Sequence, residues 1–442
     1  MDADGEGFSI IELKKVILKR EYYFLFLRKI AGPIVFCSLL WAIGCKSKSG
    51  QSANTVEVEL EAYSKGTFGY DREFLQKHYK DLVTLENGES SILVSPELQG
   101  RVMTSTANGN EGKSFGWINH DLIASGEVKK QFNPTGGEER FWLGPEGGQY
   151  SLFFEKDTKF EFSNWYVPKE LDTEPFNLVE SSENKAFFEK EMKLVNYTGA
   201  TFELYVQRNI SLLGKAEASE ILGLPIPEAV KMVGFASENS ITNTGSESWG
   251  RKTGVLSIWI LSMFNSTEET TIIVPFKKGD VDMLGSKVTD DYFGKISKER
   301  LQVYDSVLFF NADGKDRGKI GISPQRALPV MGSYDAKNNV LTIAKFSLPN
   351  GVTDYVNSLW ELQEFPFSGD AVNAYNDGPL EDGGQLGPFY ELESSSPALD
   401  LKANERSTHV HQTFHFIGDE GELDGLAKGI LGVSLNEVID QQ

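Results

Sequence analysis

The feature that most constrains the fold of this chain is a succession of short alternating or β-branched runs, separated by Gly, Asn, Asp and Pro. Alternation of apolar and polar residues is typical of a strand with one buried face. Hairpin signals agree, because Asn87-Gly88 and Lys337-Asn338-Asn339 each lie between two strand candidates. The sequence therefore predicts an all-β, large antiparallel sandwich. The most regular runs are 202–213, 270–276, 301–310 and 339–348.

Helical patterning is sparse and falls in three segments, at 71–80, at 216–222 and in the tail after Glu422. With 40% hydrophobic and 12% aromatic residues, the chain can bury a large core. We see no internal repeat of the length that a propeller or solenoid requires. We therefore expect residues 55–442 to form one β-sandwich domain with few short helices.

The N-terminal segment has the pattern of an export signal. Residues 30–44 are an apolar run preceded by Arg28 and Lys29. A membrane-spanning helix needs about 20 apolar residues, whereas the apolar part of a secretory signal needs roughly 7–15. The length favours a signal peptide over an uncleaved anchor.

The residues before Cys45, Ala42-Ile43-Gly44, resemble a bacterial lipobox, in which a small residue precedes the cysteine that is acylated. We predict a lipoprotein signal peptide over 1–44, lipidation of Cys45 and a flexible tether over 45–54. The protein is then expected to be exported and lipid-anchored, in the outer membrane and facing the periplasm.

Charge and cysteine usage exclude several classes. The net charge is −21, from 64 acidic and 43 basic residues, and this opposes binding to nucleic acid, which needs Lys and Arg to neutralise phosphates. The two cysteines, Cys37 and Cys45, both precede the predicted domain. Within that domain a disulfide framework and a cysteine metal site are excluded. We expect a monomer with no required cofactor.

The segment HVHQTFHF, residues 409–416, carries three of the five histidines. Strand alternation places His409, His411, Thr413 and His415 on one face. This face is open to three interpretations: a sugar pocket in which an imidazole acts as acid or base, a site for a zinc-class divalent metal, or a solvated sheet surface.

Upstream, GPFYELESSSPA places Glu391 and Glu393 on one strand face and Leu392 on the other. Two such carboxylates could be the catalytic pair of a glycoside hydrolase, or one could act as a general base that the other orients. The alternative is a pair of glutamates on the protein surface. Asn376 and Asp377 in YNDGP suit hydrogen bonds to sugar hydroxyls or a Ca²⁺ ion, and they are equally good turn residues.

The segment GGEERFWLGPEGG, residues 136–148, combines Arg140, Trp142 and Glu146. An aromatic ring beside charged groups can supply a stacking platform with polar clamps for a pyranose, whereas the simpler interpretation is a buried Trp beside a surface ion pair. Further polar candidates among apolar neighbours are Arg101, Asn119 and His120.

Several segments together resemble an uncharacterised family of bacterial lipoproteins in the galactose mutarotase-like superfamily. The resemblance implies a β-supersandwich with a sheet that binds carbohydrate. That architecture is shared by aldose 1-epimerases, glycoside hydrolases, lyases and non-catalytic sugar-binding proteins, so the fold alone does not select a function. The segments are 136–154, 257–264, 320–327 and 375–416.

In the epimerases of that superfamily a histidine acid acts with a late glutamate base, and here Glu391 or Glu393 would be the glutamate. The order differs, however, because the epimerase histidine precedes the base. In this chain the clustered histidines follow the glutamates, and only His78 and His120 precede them.

The sequence thus predicts a carbohydrate-active periplasmic lipoprotein that acts on a sugar or glycoside, with Glu391 or Glu393 as base and His409 or His411 as acid. The alternatives are a non-catalytic carbohydrate-binding lipoprotein and a metal-dependent enzyme that uses the histidine face. The residues expected to bind substrate are Arg101, Asn119, His120, Arg140, Trp142, Glu146, Asn376, Asp377 and His415.

Overall fold

The computed structural model of the protein describes residues 62–380 and 383–441. The predicted signal peptide over 1–44, the tether over 45–54 and Cys45 lie outside the described residues. Within the described ranges, no helix has the length and apolar character needed to cross a membrane.

Most of the described strands belong to one ten-stranded antiparallel sheet. In spatial order it consists of β11 (Leu301–Val303), β12 (Val307–Asn311), β10 (Thr270–Pro275), β14 (Val330–Asp335), β15 (Val340–Phe346), β18 (Arg406–Ile417), β8 (Lys231–Asn243), β7 (Thr201–Leu213), β6 (Lys185–Val195) and β5 (Asn177–Ser181).

Two smaller antiparallel sheets complete the strand set. The five-stranded sheet has the order β13 (Gly318–Ile322), β16 (Val372–Asn376), β17 (Phe389–Ser395), β9 (Ser257–Asn265) and β4 (Arg140–Gly144). The three-stranded sheet has the order β1 (Val83–Asn87), β2 (Ser90–Ser95) and β3 (Arg101–Thr106).

The helices of the described part are short. They are α1 (Phe68–His78), α2 (His120–Ser125), α3 (Lys169–Asp172), α4 (Lys215–Leu222), α5 (Val281–Leu284), α6 (Glu420–Leu431) and α7 (Leu435–Ile439), with one 3₁₀ turn at Phe162–Asn164. The predicted helical segments correspond to α1, α4 and the C-terminal pair α6 and α7. The all-β architecture with few short helices is therefore confirmed.

One predicted strand is wrong. The run at 301–310 is a hairpin, in which β11 pairs antiparallel with β12 and Leu301 lies opposite Phe310. The Tyr304 N–H donates to the Val307 carbonyl at 2.9 Å and closes the turn. The polar pair Asp305-Ser306 reverses the chain there, because such residues favour turns over a continuous strand.

The five-stranded sheet packs on the ten-stranded sheet to make the sandwich. Leu392 and Tyr390 of β17 point into this interface, and the Tyr390 hydroxyl lies 2.7 Å from the Ser333 hydroxyl of β14. The far face of the ten-stranded sheet is covered by α6, whose Leu423 and Leu426 join a cluster with Phe414 of β18. Both faces of β18 are thus buried.

Candidate functional site

Strand β17 divides its side chains between two environments. Leu392 and Ser394 face the interior of the sandwich, whereas Glu391 and Glu393 lie on the outer face of the five-stranded sheet. This is the alternation expected of a strand. The predicted shared face of the two glutamates is therefore confirmed.

A pocket of about 540 Å³ lies over the outer face of this sheet. Six aromatic residues contribute to its walls. Its charged groups come from the loop after β4, from β13 and from residues that flank β13 and β16. The residues that line it include Glu146, Trp259, Tyr292, Lys319, Trp360 and Asp377.

Glu393 is fully buried below this pocket and forms hydrogen bonds with two residues that line the pocket. One carboxylate oxygen accepts from the Lys319 ammonium at 2.9 Å and from the Trp259 indole N–H at 2.8 Å. The Lys319 ammonium also lies 4.9 Å from the centre of the Trp259 ring. Buried charges of this kind persist because they are paired and hydrogen-bonded.

Glu391 sits beside a second cation. Its carboxylate is 3.7 Å from the Arg140 guanidinium, which in turn lies 4.0 Å from the centre of the Trp142 ring. Burial, followed by the neighbouring charge of Glu393, raises the pKa of Glu391 to about 8, while the Arg140 guanidinium acts in the opposite direction. This carboxyl therefore retains its proton at neutral pH.

Two tyrosine–aspartate pairs lie in the same pocket. The Tyr292 hydroxyl donates to Asp370 at 2.6 Å, and the Tyr375 hydroxyl donates to Asp377 at 2.5 Å. Burial raises the pKa of Asp370 to about 6 and also raises the pKa of Asp377. Arg317 donates through Nε to the Tyr375 hydroxyl at 3.1 Å.

Glu146 enters the pocket from the loop after β4. Burial is the largest influence on its pKa and raises it, while the nearby ammonium of Lys319 acts in the opposite direction. Glu146, Asp370 and Asp377 are thus lining carboxylates with an increased proton affinity. The pocket joins proton-accepting groups to aromatic surfaces.

The structure does not bring the predicted histidine acids to the glutamates. His409 and His411 are fully buried in the interior of the sandwich, where both rings hydrogen-bond the Ser394 hydroxyl at 2.8 Å. Burial lowers the pKa of each imidazole to about 3. Since β17 separates these rings from Glu391 and Glu393, the predicted Glu/His pairing is absent, and a solvated histidine face is excluded.

His415 lies on the same buried face. Its Nε2 is 2.9 Å from Glu138, its Nδ1 is 2.8 Å from the Thr342 hydroxyl, and its ring stacks on Phe115. These contacts occupy both nitrogens, so the expected substrate contact is replaced by a structural one. In the described part of the chain, no three His, Cys, Asp or Glu residues are arranged to hold a metal ion.

Two other predicted substrate contacts have structural roles. Arg101 is buried away from the pocket and donates to the Thr135 hydroxyl at 3.0 Å and to the Gly136 carbonyl at 2.7 Å. Asn376 is buried and connects the Gly314 N–H to the Asp316 carbonyl. Each side chain forms hydrogen bonds with backbone groups of a loop that would otherwise lack partners.

Asn119 and His120 line a different pocket. Asn119 caps α2 by accepting from the Leu122 N–H, and His120 lies 2.7 Å from Asp71 of α1. These two residues therefore lie together in one pocket, but they do not line the pocket over the five-stranded sheet.

Of the predicted substrate contacts, Glu146 and Asp377 line that pocket, while Arg140 and Trp142 lie beside Glu391 on the same outer face. Sequence reasoning missed Trp259, Lys319 and Asp370. Lys319 had a signal, because RGKIGI alternates and places this side chain on the face opposite the buried Ile320 and Ile322. Trp259 had none, because SIWILSMF is a nearly continuous apolar run. Asp370 lies in a loop, where periodicity gives no information.

The described fold and pocket define an antiparallel β-sandwich with a charged, aromatic-walled pocket on its smaller sheet. The chain belongs to the Family of unknown function (DUF6786), which matches residues 66–442. No curated protein matches the chain.

Several solved structures are similar to this chain at low identity. The Slr1438 protein from Synechocystis sp. PCC 6803 is 12% identical, over 76% of this chain and 96% of that one, with a TM-score of 0.47. A galactose mutarotase-like protein from Lactobacillus casei is 11% identical, over 76% and 99%, with a TM-score of 0.42. A galactose mutarotase related enzyme from Lactobacillus acidophilus is 10% identical, over 76% and 98%, with a TM-score of 0.42.

Proposed function

We propose that the pocket over the outer face of the five-stranded sheet binds a carbohydrate, and that the protein acts on it by carboxylate acid–base chemistry. The observation that carries the proposal is the meeting of aromatic walls, such as Trp259 and Trp360, with the lining carboxylates Glu146, Asp370 and Asp377. Aromatic faces accept the C–H face of a pyranose, and carboxylates accept hydrogen bonds from its hydroxyls.

We assign proton transfer to Glu146 and Asp370. Both line the pocket, and burial raises the pKa of each, that of Asp370 to about 6. A group that titrates near the working pH can both give and take a proton. Sugar chemistry of this type is run by two carboxyl groups in most glycoside hydrolases.

Glu391 and Glu393, predicted from the sequence as catalytic, take a supporting role in this proposal. Neither is among the residues that line the pocket, and each is next to a cation of the outer face. Glu393 positions Lys319 and Trp259, whereas Glu391 is held beside Arg140. Both act through their neighbours.

The test is turnover of a panel of sugars and glycosides by matched variants. Glu146→Gln and Asp370→Asn keep the shape of the pocket and remove a titrating group, so each should lower the turnover rate by about 100-fold or more while leaving binding nearly unchanged. The control is Glu203→Gln, an exposed carboxylate on β7. Wild-type turnover in both pocket variants would refute the assignment.

A non-catalytic carbohydrate-binding function is the second candidate. In the described part of the chain the pocket is lined without any histidine, and Lys319 is neutralised by Glu393. If a glycan binds in the pocket and is recovered with its linkage and anomeric ratio unchanged by NMR, this candidate replaces the first.

We also propose that the protein is exported and tethered to the outer membrane through Cys45, on the basis of the apolar run at 30–44 and the small residue before the cysteine. The mature protein in the membrane fraction should begin at an acylated Cys45, and Cys45→Ser should abolish both the acylation and the cleavage. Mass spectrometry that finds an unmodified Cys45 in the wild-type membrane fraction would contradict the lipid anchor.

A further inference from the structure

The mouth of the pocket is unusually apolar for an exposed surface. Four large hydrophobic side chains line the pocket and remain between 41% and 64% exposed: Phe162, Phe293, Leu380 and Leu386. Isolated exposed hydrophobics are normal, whereas several around one concave site indicate a binding surface. We call these four residues the rim.

We propose that the ligand is a carbohydrate joined to an apolar aglycone, and that the rim binds the aglycone while the polar floor binds the sugar. This inference rests on the proposed function, because it assigns the sugar to the same pocket. It adds the chemical class of the ligand, which is an amphipathic glycoconjugate such as an alkyl or aryl glycoside.

The first argument is the separation of polar and apolar groups with depth. Lys319 sits on the floor and bonds the fully buried Glu393, and Asp377 is itself buried, whereas the rim side chains are in contact with solvent. A free monosaccharide presents hydroxyls all around its ring, so it would leave the rim exposed. A ligand with one polar end and one apolar end matches both zones.

The second argument concerns the shape of the rim residues. A longer glycan would need flat aromatic platforms and hydrogen-bonding partners beyond the first sugar. Leu380 and Leu386 offer neither, and the Phe293 ring is already covered by the Arg317 guanidinium at 3.8 Å. Only Phe162, which stacks on Trp165, presents an exposed aromatic ring, and a single ring does not form a platform for several sugars. Branched aliphatic side chains instead bind most favourably to an alkyl or aryl group, because the contact removes apolar surface of both partners from water.

The third argument excludes a protein partner as the main occupant. The rim surrounds a pocket of about 540 Å³ with charged groups at its floor. Such a volume is within the range of small-ligand pockets, roughly 300–1,000 Å³. A ligand that fills this volume from the floor to the rim has the size of a small molecule.

The experiment compares methyl and n-octyl glycosides of the same sugars by calorimetric titration of the full chain. The panel contains the α and β anomers of glucose, galactose and mannose, with each octyl compound kept below its micelle concentration. Each methylene that leaves water should strengthen binding by about fourfold. The octyl glycoside of the preferred sugar should therefore bind at least about tenfold more tightly than the methyl glycoside.

Rim variants locate this gain. Phe162→Ser and Leu386→Ser should remove most of the octyl gain and leave methyl glycoside binding unchanged. The control is Val195→Ser, which replaces an equally exposed hydrophobic residue of β6 that does not line the pocket. Since the rim side chains are exposed, these substitutions should not unfold the protein.

Each outcome has one meaning. If a methyl glycoside binds and its octyl partner binds no more tightly, or if the octyl gain survives in both rim variants, the inference is wrong while the proposed function stands. If a tetrasaccharide shows the rim-dependent gain instead, the rim serves a longer glycan and the inference is wrong. If no glycoside binds, the proposed function fails and this inference fails with it.

Discussion

The two faces of β17 show how one strand supports opposite electrostatic environments. On the outer face Glu391 and Glu393 lie against the cations Arg140 and Lys319 below a pocket. On the inner face Ser394 binds two neutral imidazoles that have no contact with solvent. The comparison teaches that a conspicuous histidine cluster can have a purely structural role, whereas the charged pocket lies on the outer face of the five-stranded sheet.

The largest expected effect concerns an ion pair in the interior of the sandwich, between Arg208 of β7 and Glu139, which precedes β4. The Arg208 guanidinium is 2.9 Å from Glu139, and both side chains are fully buried. Arg208→Met would leave a buried carboxylate without its cation and should lower the free energy of unfolding by about 3–5 kcal/mol. Denaturant titration measures this loss. Lys193→Met, which breaks an exposed pair with Glu203, is the control and should cost far less.

A second pair of variants separates the two faces of β17 directly. Ser394→Ala removes the hydroxyl that bonds both buried histidines and should cost about 1–3 kcal/mol of stability, because a buried polar group loses its partner. Ser395→Ala, on the adjacent residue, changes the pocket side instead and should leave the unfolding midpoint nearly unchanged. Equal losses in the two variants would contradict the assignment of faces.

The third prediction concerns the outer face. Lys319→Met removes the cation at the floor of the pocket and leaves the fully buried Glu393 without its cation, so the variant should also lose stability. The folded variant should bind the preferred glycoside about tenfold or more weakly, a cost of about 1.4 kcal/mol. Lys315→Met, which removes an exposed lysine paired with Glu268, should bind like the wild type. Calorimetric titration of both proteins gives the comparison. Wild-type affinity in Lys319→Met would place the ligand elsewhere.

The smallest expected effects concern the pH dependence of the free energy of unfolding, to which the two faces of β17 should contribute in opposite directions. The pKa of Glu391 is raised to about 8 in the folded protein, so its stabilising effect is present below the unfolded pKa of about 4.5 and is lost as the pH rises towards 8. The pKa of His409 is lowered to about 3, so the folded state loses stability as the pH falls below about 6.5.

Single substitutions isolate these two contributions. Between pH 6 and pH 7, Glu391→Gln should gain about 1 kcal/mol relative to the wild type, and between pH 6 and pH 5, His409→Asn should gain a similar amount. Denaturation midpoints at the three pH values provide the measurement. If the stability of both variants relative to the wild type changed in the same direction with rising pH, the different charge states of the carboxyl and the imidazole would be contradicted.

Strand periodicity predicted much of the fold and part of the site. The shared face of Glu391 and Glu393, and that of His409, His411 and His415, follows from a side-chain repeat of two residues. Periodicity does not say what covers a face. Here α6 covers Phe414 on one side of β18, so the histidine side becomes the interior of the sandwich.

The missed pocket residues have a different origin. Lys319 and Trp259 come from strands far from Glu393 in sequence, and only the pairing of β13, β16, β17 and β9 brings them together. Asp370 reaches the pocket from a loop. Single-sequence patterns contain no information on such long-range neighbours, so the outer-face cluster required the tertiary structure.

The central claim is that the ligand site lies on the outer face of the five-stranded sheet and not among the histidines. A crystal structure of the protein with the tightest glycoside from the binding panel tests it directly. We expect the sugar ring in this pocket beside Trp360, with its hydroxyls on Glu146, Lys319 or Asp377. A sugar bound beside His120, or an empty pocket at saturating ligand, would contradict this account.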